Sequence, residues 1–282
     1  MAENGILFIG LPESGKTTFL GALWFYIFSN PKDSRFRCAT LADSELEYLN
    51  SISRSWASCE DVIRTSQVKT ERVLINMKHV ESNQTFTLMI PDISGETFNK
   101  QFEDREWDED FDLLLEQASG IILFIDPRDK KNRPKFVFQE SQHFKFFEEE
   151  FVNKNPQQPW NEELSPSQVK LVDFLQMVDL EKPGKIKKIS VIISCWDLIN
   201  STENPESFLE KEMPLLFQYL KANIDIFRTR FFGVSSQGGS YDSEEAKDRL
   251  MQKDPLNRII VEDGITTNST ILSPLLWITD DD

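Results

Sequence analysis

Residues 10–17, Gly-Leu-Pro-Glu-Ser-Gly-Lys-Thr, constrain this chain more than any other stretch, because of what stands on either side of them. Ile6-Leu7-Phe8-Ile9 predicts a buried strand ending at Gly10, and Thr17 to Phe28, apolar and aromatic almost all round, predicts a buried helix. A strand, then the spacing GxxxxGK[ST], then a helix is the context in which this motif has a mechanical meaning. The glycines let the backbone wrap an anion. Successive N–H groups of Glu13, Ser14, Gly15, Lys16, Thr17 and Thr18 are expected to converge on a phosphate at the helix N-terminus. Lys16 is expected to bridge β- and γ-phosphates, and the Thr17 hydroxyl to ligate Mg²⁺. The plain alternative is a glycine-rich turn that matches the pattern by accident.

The remaining pattern alternates short apolar runs with amphipathic stretches, which predicts an α/β fold. Helices are expected over Ala42 to Ser58, Gln101 to Gln117, Gln168 to Val178 and Pro205 to Ala222. Strands are expected at Ile121 to Ile125, Ile189 to Ser194 and Phe227 to Val234. Arg72 to Val80 alternates in polarity, Ser82-Asn83 makes a turn and Phe86 to Ile90 returns, an antiparallel hairpin at one edge. The tail predicts a charged helix after Asp242 and a last helix opening at Ser273-Pro274. The expected architecture is a P-loop NTPase: a mainly parallel sheet with one antiparallel edge strand and helices on both faces. One domain over residues 1–282 carries a helical or irregular insertion at 128–186, dense in aromatics and proline.

Composition narrows the function classes. Lys plus Arg number 31 against 47 Asp plus Glu, a net charge of −16. Such a surface repels phosphodiester backbones and anionic lipid, so neither nucleic acid nor membrane is an expected partner. No apolar run reaches the ~18 residues of a membrane span, and the start MAENG lacks a basic leader, which predicts a cytoplasmic chain. Three cysteines without CxxC spacing and two histidines, His79 and His143, argue against a disulfide framework and a zinc site.

Three further elements follow predicted strands. Asp92-Ile-Ser-Gly95-Glu96 follows the returning strand; Asp92 is placed to reach the metal through water and the Gly95 N–H to meet a γ-phosphate, which couples this loop to the phosphate's presence. Ser194-Cys195-Trp196-Asp197 follows the next-to-last parallel strand, where a carboxylate can accept both the N1–H and N2–H of guanine. The alternative is that Asp197 only starts a helix. Ser235-Ser236 follows the last such strand and would bring backbone N–H groups near a base carbonyl.

With four elements in this order, the chain resembles the translation-factor-related class of P-loop GTPases: GLPESGKT is similar to the phosphate loop, DISG to DxxG, SCWD to [NT]KxD and SSQ to SA[KL]. GLPESGKTTFLGALW, DISGETF and LSPLLWI look more specifically like the bacterial double-GTPase families, which occur beside partner GTPases in predicted conflict or defence systems. The resemblance implies Mg²⁺ and GTP or GDP as ligands, and a protein effector or second GTPase as partner.

Several residues depart from that pattern. Cys195 stands where the wider family has a lysine along the ribose and base edge, with Ser194 for Asn or Thr beside it. Trp196 either stacks in partial substitution or belongs to the core. Glu96 stands where a water-orienting Gln is common, so it acts as base or water orienter, or it leaves hydrolysis slow until a partner stimulates it. Thr65 and Thr70 both qualify as the metal-sensing threonine; Thr65 is preferred, with Arg64 as an arginine finger in cis. Phe144, Phe147 and Phe151 share a helical face that either packs in the core or docks a partner. The expected function is a GTP-hydrolysing switch. Its rivals are an ATP-binding P-loop enzyme and a scaffold that holds nucleotide without hydrolysing it.

Overall fold

The computed structural model describes residues 4–30, 35–61, 72–91, 95–128, 165–199, 203–265 and 269–280. Eight strands form one sheet: β1 (Gly5–Gly10), β2 (Phe36–Thr40), β3 (Arg72–His79), β4 (Thr85–Pro91), β5 (Ala118–Ile125), β6 (Lys188–Ser194), β7 (Arg228–Ser235) and β8 (Ile260–Glu262). Their spatial order is β2-β3-β4-β1-β5-β6-β7-β8. The run from β4 through β1, β5 and β6 to β7 is parallel. The expected β3–β4 hairpin is present with Arg72 opposite Pro91 and Lys78 opposite Thr85. It lies one strand in from the edge, because β2 pairs antiparallel outside it. At the other edge the short β8 pairs antiparallel with β7.

The central strands carry unbroken apolar runs, Ile6–Ile9, Ile121–Ile125 and Val191–Ile193, because both sheet faces are covered. Alternate residues face opposite sides. Ile6, Phe8, Ile122 and Phe124 pack under α1 (Lys16–Ser29) and α2 (Asp43–Ala57), together with Ile271, Leu272 and Leu275 at the start of the C-terminal helix Ser273–Thr279. Leu7, Ile9, Ile121, Leu123, Val191 and Ile193 pack on the other face. There they meet α3 (Gly95–Asp104), α4 (Glu109–Gln117), α5 (Ser167–Glu181), α6 (Pro205–Glu212) and α7 (Pro214–Ala222). Among the described residues the further helices are α8 (Glu244–Met251) and α9, the C-terminal one just given.

Two expected helices are each divided. Arg105 adopts φ 55° after α3, and Asp108 restarts the helix by accepting a 2.8 Å bond from the Phe111 N–H. Pro214, which has no N–H to continue the turn, separates α6 from α7. Within the expected insertion at 128–186, Ser167–Glu181 is the crossover helix between β5 and β6, with Leu171, Phe174, Leu175 and Val178 in the core. Residues 129–164, including Phe144, Phe147, Phe151 and His143, lie outside the described residues. Among the described residues, no helix is long and apolar enough to cross a membrane.

Candidate nucleotide site

The parallel strands end together. In the sheet register Gly10 stands beside Phe124, Phe124 beside Ile192 and Ile192 beside Phe232. The segments leaving β1, β5, β6 and β7 therefore emerge side by side at the carboxyl edge, where open α/β sheets bind ligands.

The loop after β1 makes its turn through positive φ at Glu13, 65°, and at Gly15, 89°. Gly15 is the residue before α1, and a Cβ there would come within 2.9 Å of the Ser194 Oγ. The Phe19 N–H is the first to bond back within the helix, 2.9 Å to the Gly15 carbonyl, and no side chain caps the turn. The first-turn N–H groups, those of Lys16, Thr17 and Thr18, thus lie outside the helix's own bonding at its positive end. The Lys16 ammonium curls over the loop, donating to the carbonyls of Gly10 at 2.6 Å and Leu11 at 3.0 Å. Ser14 is buried at the floor of the loop, and its carbonyl accepts a 2.6 Å bond from the Ser194 Oγ. That bond ties the phosphate-type loop to the segment after β6.

In that segment Cys195 adopts φ 49° and starts a single 3-10 turn, Trp196–Leu198. Asp197 therefore sits inside a short turn, not at the start of a helix. Among the described residues its carboxylate makes no hydrogen bond. Of the two roles open to Trp196, the structure places it in the core. The indole is buried, meets Phe208 edge-on at 5.7 Å and donates 2.8 Å to Glu262 on β8. Burial pushes the Cys195 thiol up, with the Arg128 guanidinium pulling it the other way. After β7, the Ser235 Oγ accepts from the Gly238 N–H at 3.0 Å and the Ser236 carbonyl from the Trp56 indole at 2.8 Å. The second of these fixes the loop after β7 to the end of α2.

Arg64, Thr65, Thr70 and Asp92 lie outside the described residues. β4 ends at Pro91, one residue before Asp92, and α3 opens at Gly95, while the Glu96 side chain lies outside the described residues. The sequence reading passed over Asp126-Pro127-Arg128, which leaves β5 between the P-loop and the Cys195 segment. The available signal was positional, since a charged pair directly follows a strand. The Asp126 carboxylate accepts from the Arg128 backbone N–H at 2.8 Å, from Nε at 3.0 Å and from Nη2 at 3.0 Å. A cavity of about 240 Å³ lies at the opposite, amino edge of the sheet and is remote from all of these residues.

A strand–loop–helix with a left-handed Gly15 and a lysine closing on the loop, at the carboxyl edge of a parallel sheet, defines a P-loop α/β protein. The family model described as Double-GTPase 1 matches residues 7–278, and the chain belongs to that family. No curated protein matches it. Among solved structures, the GTP-bound GTPase-like domain of S. cerevisiae Ski7 is similar at 16% identity, with 98% of this chain and 49% of that one covered and a TM-score of 0.42. A bacterial selenocysteine-specific elongation factor, EF-Sec, is similar at 11% identity, with 89% and 29% covered and a TM-score of 0.40. This chain thus spans between about a third and half of the length of these structures.

Proposed function

We propose that this chain is a Mg²⁺-dependent guanine-nucleotide switch that hydrolyses GTP slowly until a protein partner, a second GTPase first among the candidates, stimulates it. One observation carries the base assignment: the 2.6 Å bond from Ser194 to the Ser14 carbonyl, which locks the Asp197 turn to the phosphate loop. A carboxylate carried on that turn, without a hydrogen bond among the described residues, is suited to the paired N1–H and N2–H donors of guanine. Family membership supports the same reading.

On this reading Lys16 leaves the Gly10 and Leu11 carbonyls for the β- and γ-phosphate oxygens, and the first-turn amides of α1 take up the remaining charge. Water attacks the γ-phosphorus in line, and the bond to the β–γ bridging oxygen breaks to leave GDP and phosphate. Thr17, a hard oxygen donor in the first turn of α1, and Asp92, through water, would hold Mg²⁺. When bound, that ion supplies charge neutralisation between the two phosphates. Glu96 beside the γ-phosphate repels it, the basis for slow intrinsic turnover, and the segments of Thr65 and Glu96 report the phosphate to the partner. The whole chain, residues 1–282, acts as one nucleotide unit.

Cys195 in place of a lysine keeps an adenine nucleotide in competition. Calorimetry with GDP and ADP decides between them: GDP is expected to bind more tightly, with Lys16→Ala abolishing binding. Tighter ADP binding ends the guanine assignment. Phosphate release from GTP above the Lys16→Ala background is expected, and its absence even with the partner leaves only a nucleotide-holding scaffold.

A further inference from the structure

Cys195 stands where the resemblance implies a cation, and the neighbouring strand β5 is followed by Asp126-Pro127-Arg128. We propose that Arg128 supplies this cation, lying along the ribose and purine side of the bound nucleotide as a specificity-determining residue. The inference rests on the guanine-nucleotide reading above.

The placement follows from the sheet. Ile125 pairs with Ile193, so Asp126 leaves β5 level with Ser194, and Pro127 and Arg128 turn away from the strand end at that level. On the other side, Phe124 pairs with Gly10, the first residue of the phosphate loop. Arg128 thus originates between the two loops that would hold the two ends of a nucleotide. Its side chain does not stray from there. The Asp126 carboxylate, 17% exposed, holds the backbone N–H, Nε and Nη2 of Arg128 at once, which fixes the plane of the guanidinium. Nη1 has no hydrogen bond among the described residues, and 54% of the side chain is open to solvent. Cys195 and Glu13 are among the groups whose charge acts on this guanidinium, one from each of the two flanking loops.

Two physical consequences favour this role over that of a surface ion pair. Glu13, at the turn of the phosphate loop, puts a carboxylate beside the position of a polyanion, and Arg128 offsets that charge. A guanidinium held flat by one carboxylate also presents a planar, weakly hydrated face, suited to a purine in a way that a lysine's point charge is not. The neutral Cys195 leaves room for it, where a lysine at 195 would place two cations side by side.

Calorimetry at fixed Mg²⁺ tests the proposal with two probes, GDP and tripolyphosphate, the second lacking base and ribose. Arg128→Ala is expected to weaken GDP by about tenfold, the scale of one desolvated cation–π contact, while leaving tripolyphosphate binding unchanged. Lys16→Ala should weaken both probes. Adding Cys195→Lys to Arg128→Ala should restore most of the GDP affinity, because the cation returns from the other loop. Arg128→Gln keeps the length and planarity without the charge, and serves if thermal melting shows that the alanine variant is unfolded. Wild-type GDP affinity in both Arg128 variants overturns the inference, as does an equal loss for both probes. Failure of the wild-type protein to bind GDP defeats the underlying reading instead, a separate result, and the inference falls with it.

Discussion

Gly233, in the middle of β7, is glycine because the Trp196 indole lies flat against its Cα; a Cβ there would stand 2.2 Å from the ring. The same indole donates to Glu262, so one glycine allows a single tryptophan to join β7, β8 and the turn that carries Asp197. Gly233→Ala forces the ring out of its rotamer or bends the strand, an overpacking cost of about 1–3 kcal/mol. The expected result is a lower midpoint in thermal or denaturant unfolding together with weaker GDP binding, because the displaced turn carries Asp197, the carboxylate proposed to read the base. An unchanged midpoint would show that the Trp196 contact yields freely. From the sequence alone, Trp196 admits two roles, stacking or core. Nothing local decides between them, since the deciding residues, Gly233 and Glu262, are 37 and 66 positions away in the chain. The P-loop was legible because its meaning is local: a strand, two glycines, Lys16 and a helix specify their geometry within a dozen residues.

At the scale of elements, apolar periodicity located the central strands and most helices, and it missed what short or tertiary-supported segments require. β2 has only Phe36 buried, and β8 is three residues long, so neither carries a period to read. The divided helices kept their apolar spacing across the breaks at Arg105 and Pro214, which hid the breaks. Another feature of this kind is the seam between α2 and the chain after β7. Arg258 is buried there. Its guanidinium lies over the Trp56 ring with 5.1 Å to the centroid, donates 2.8 Å to the Ala57 carbonyl and also meets the Cys59 thiol. Because the Trp56 indole also donates to Ser236, this seam joins the end of α2 to the loop after β7. Arg258→Ala empties that volume and strands the Ala57 carbonyl, a loss of about 3 kcal/mol. Arg258→Lys is expected to recover only part of it, since an ammonium cannot stack and bond in the same plane. Denaturant unfolding of the two variants checks both statements, and equal stability of Arg258→Lys and wild type would refute the second.

At the scale of the whole molecule, the sheet's two edges are built for different tasks. At the amino edge the C-terminal helix is bonded down beside the cavity described above. The Lys188 ammonium donates to the carbonyls of Trp277 at 3.1 Å and Asp280 at 2.6 Å, and the Ser190 hydroxyl to that of Pro274, which pins α9 across β5 and β6. The carboxyl edge instead gathers strand ends, a lysine bonded to carbonyls and an uncapped helix terminus, groups whose charge and donors are better satisfied by an anion. A nucleotide that binds there stabilises the folded state by mass action. At a hundredfold excess over Kd the gain is about 2.7 kcal/mol, which for a domain of this size raises the thermal midpoint by roughly 5 °C. Lys16→Ala should remove the rise for GDP and for a non-hydrolysable GTP analogue alike. On the proposed reading, in which the γ-phosphate brings Thr17 and Asp92 to one ion, chelation of Mg²⁺ should remove chiefly the increment of the triphosphate form over the diphosphate form. If that increment carries the switch, protease cleavage near Arg64 and Glu96 must also differ between the two nucleotide states. Identical digestion patterns, alongside a normal GDP shift, would leave a nucleotide-binding protein whose fold does not sense the third phosphate.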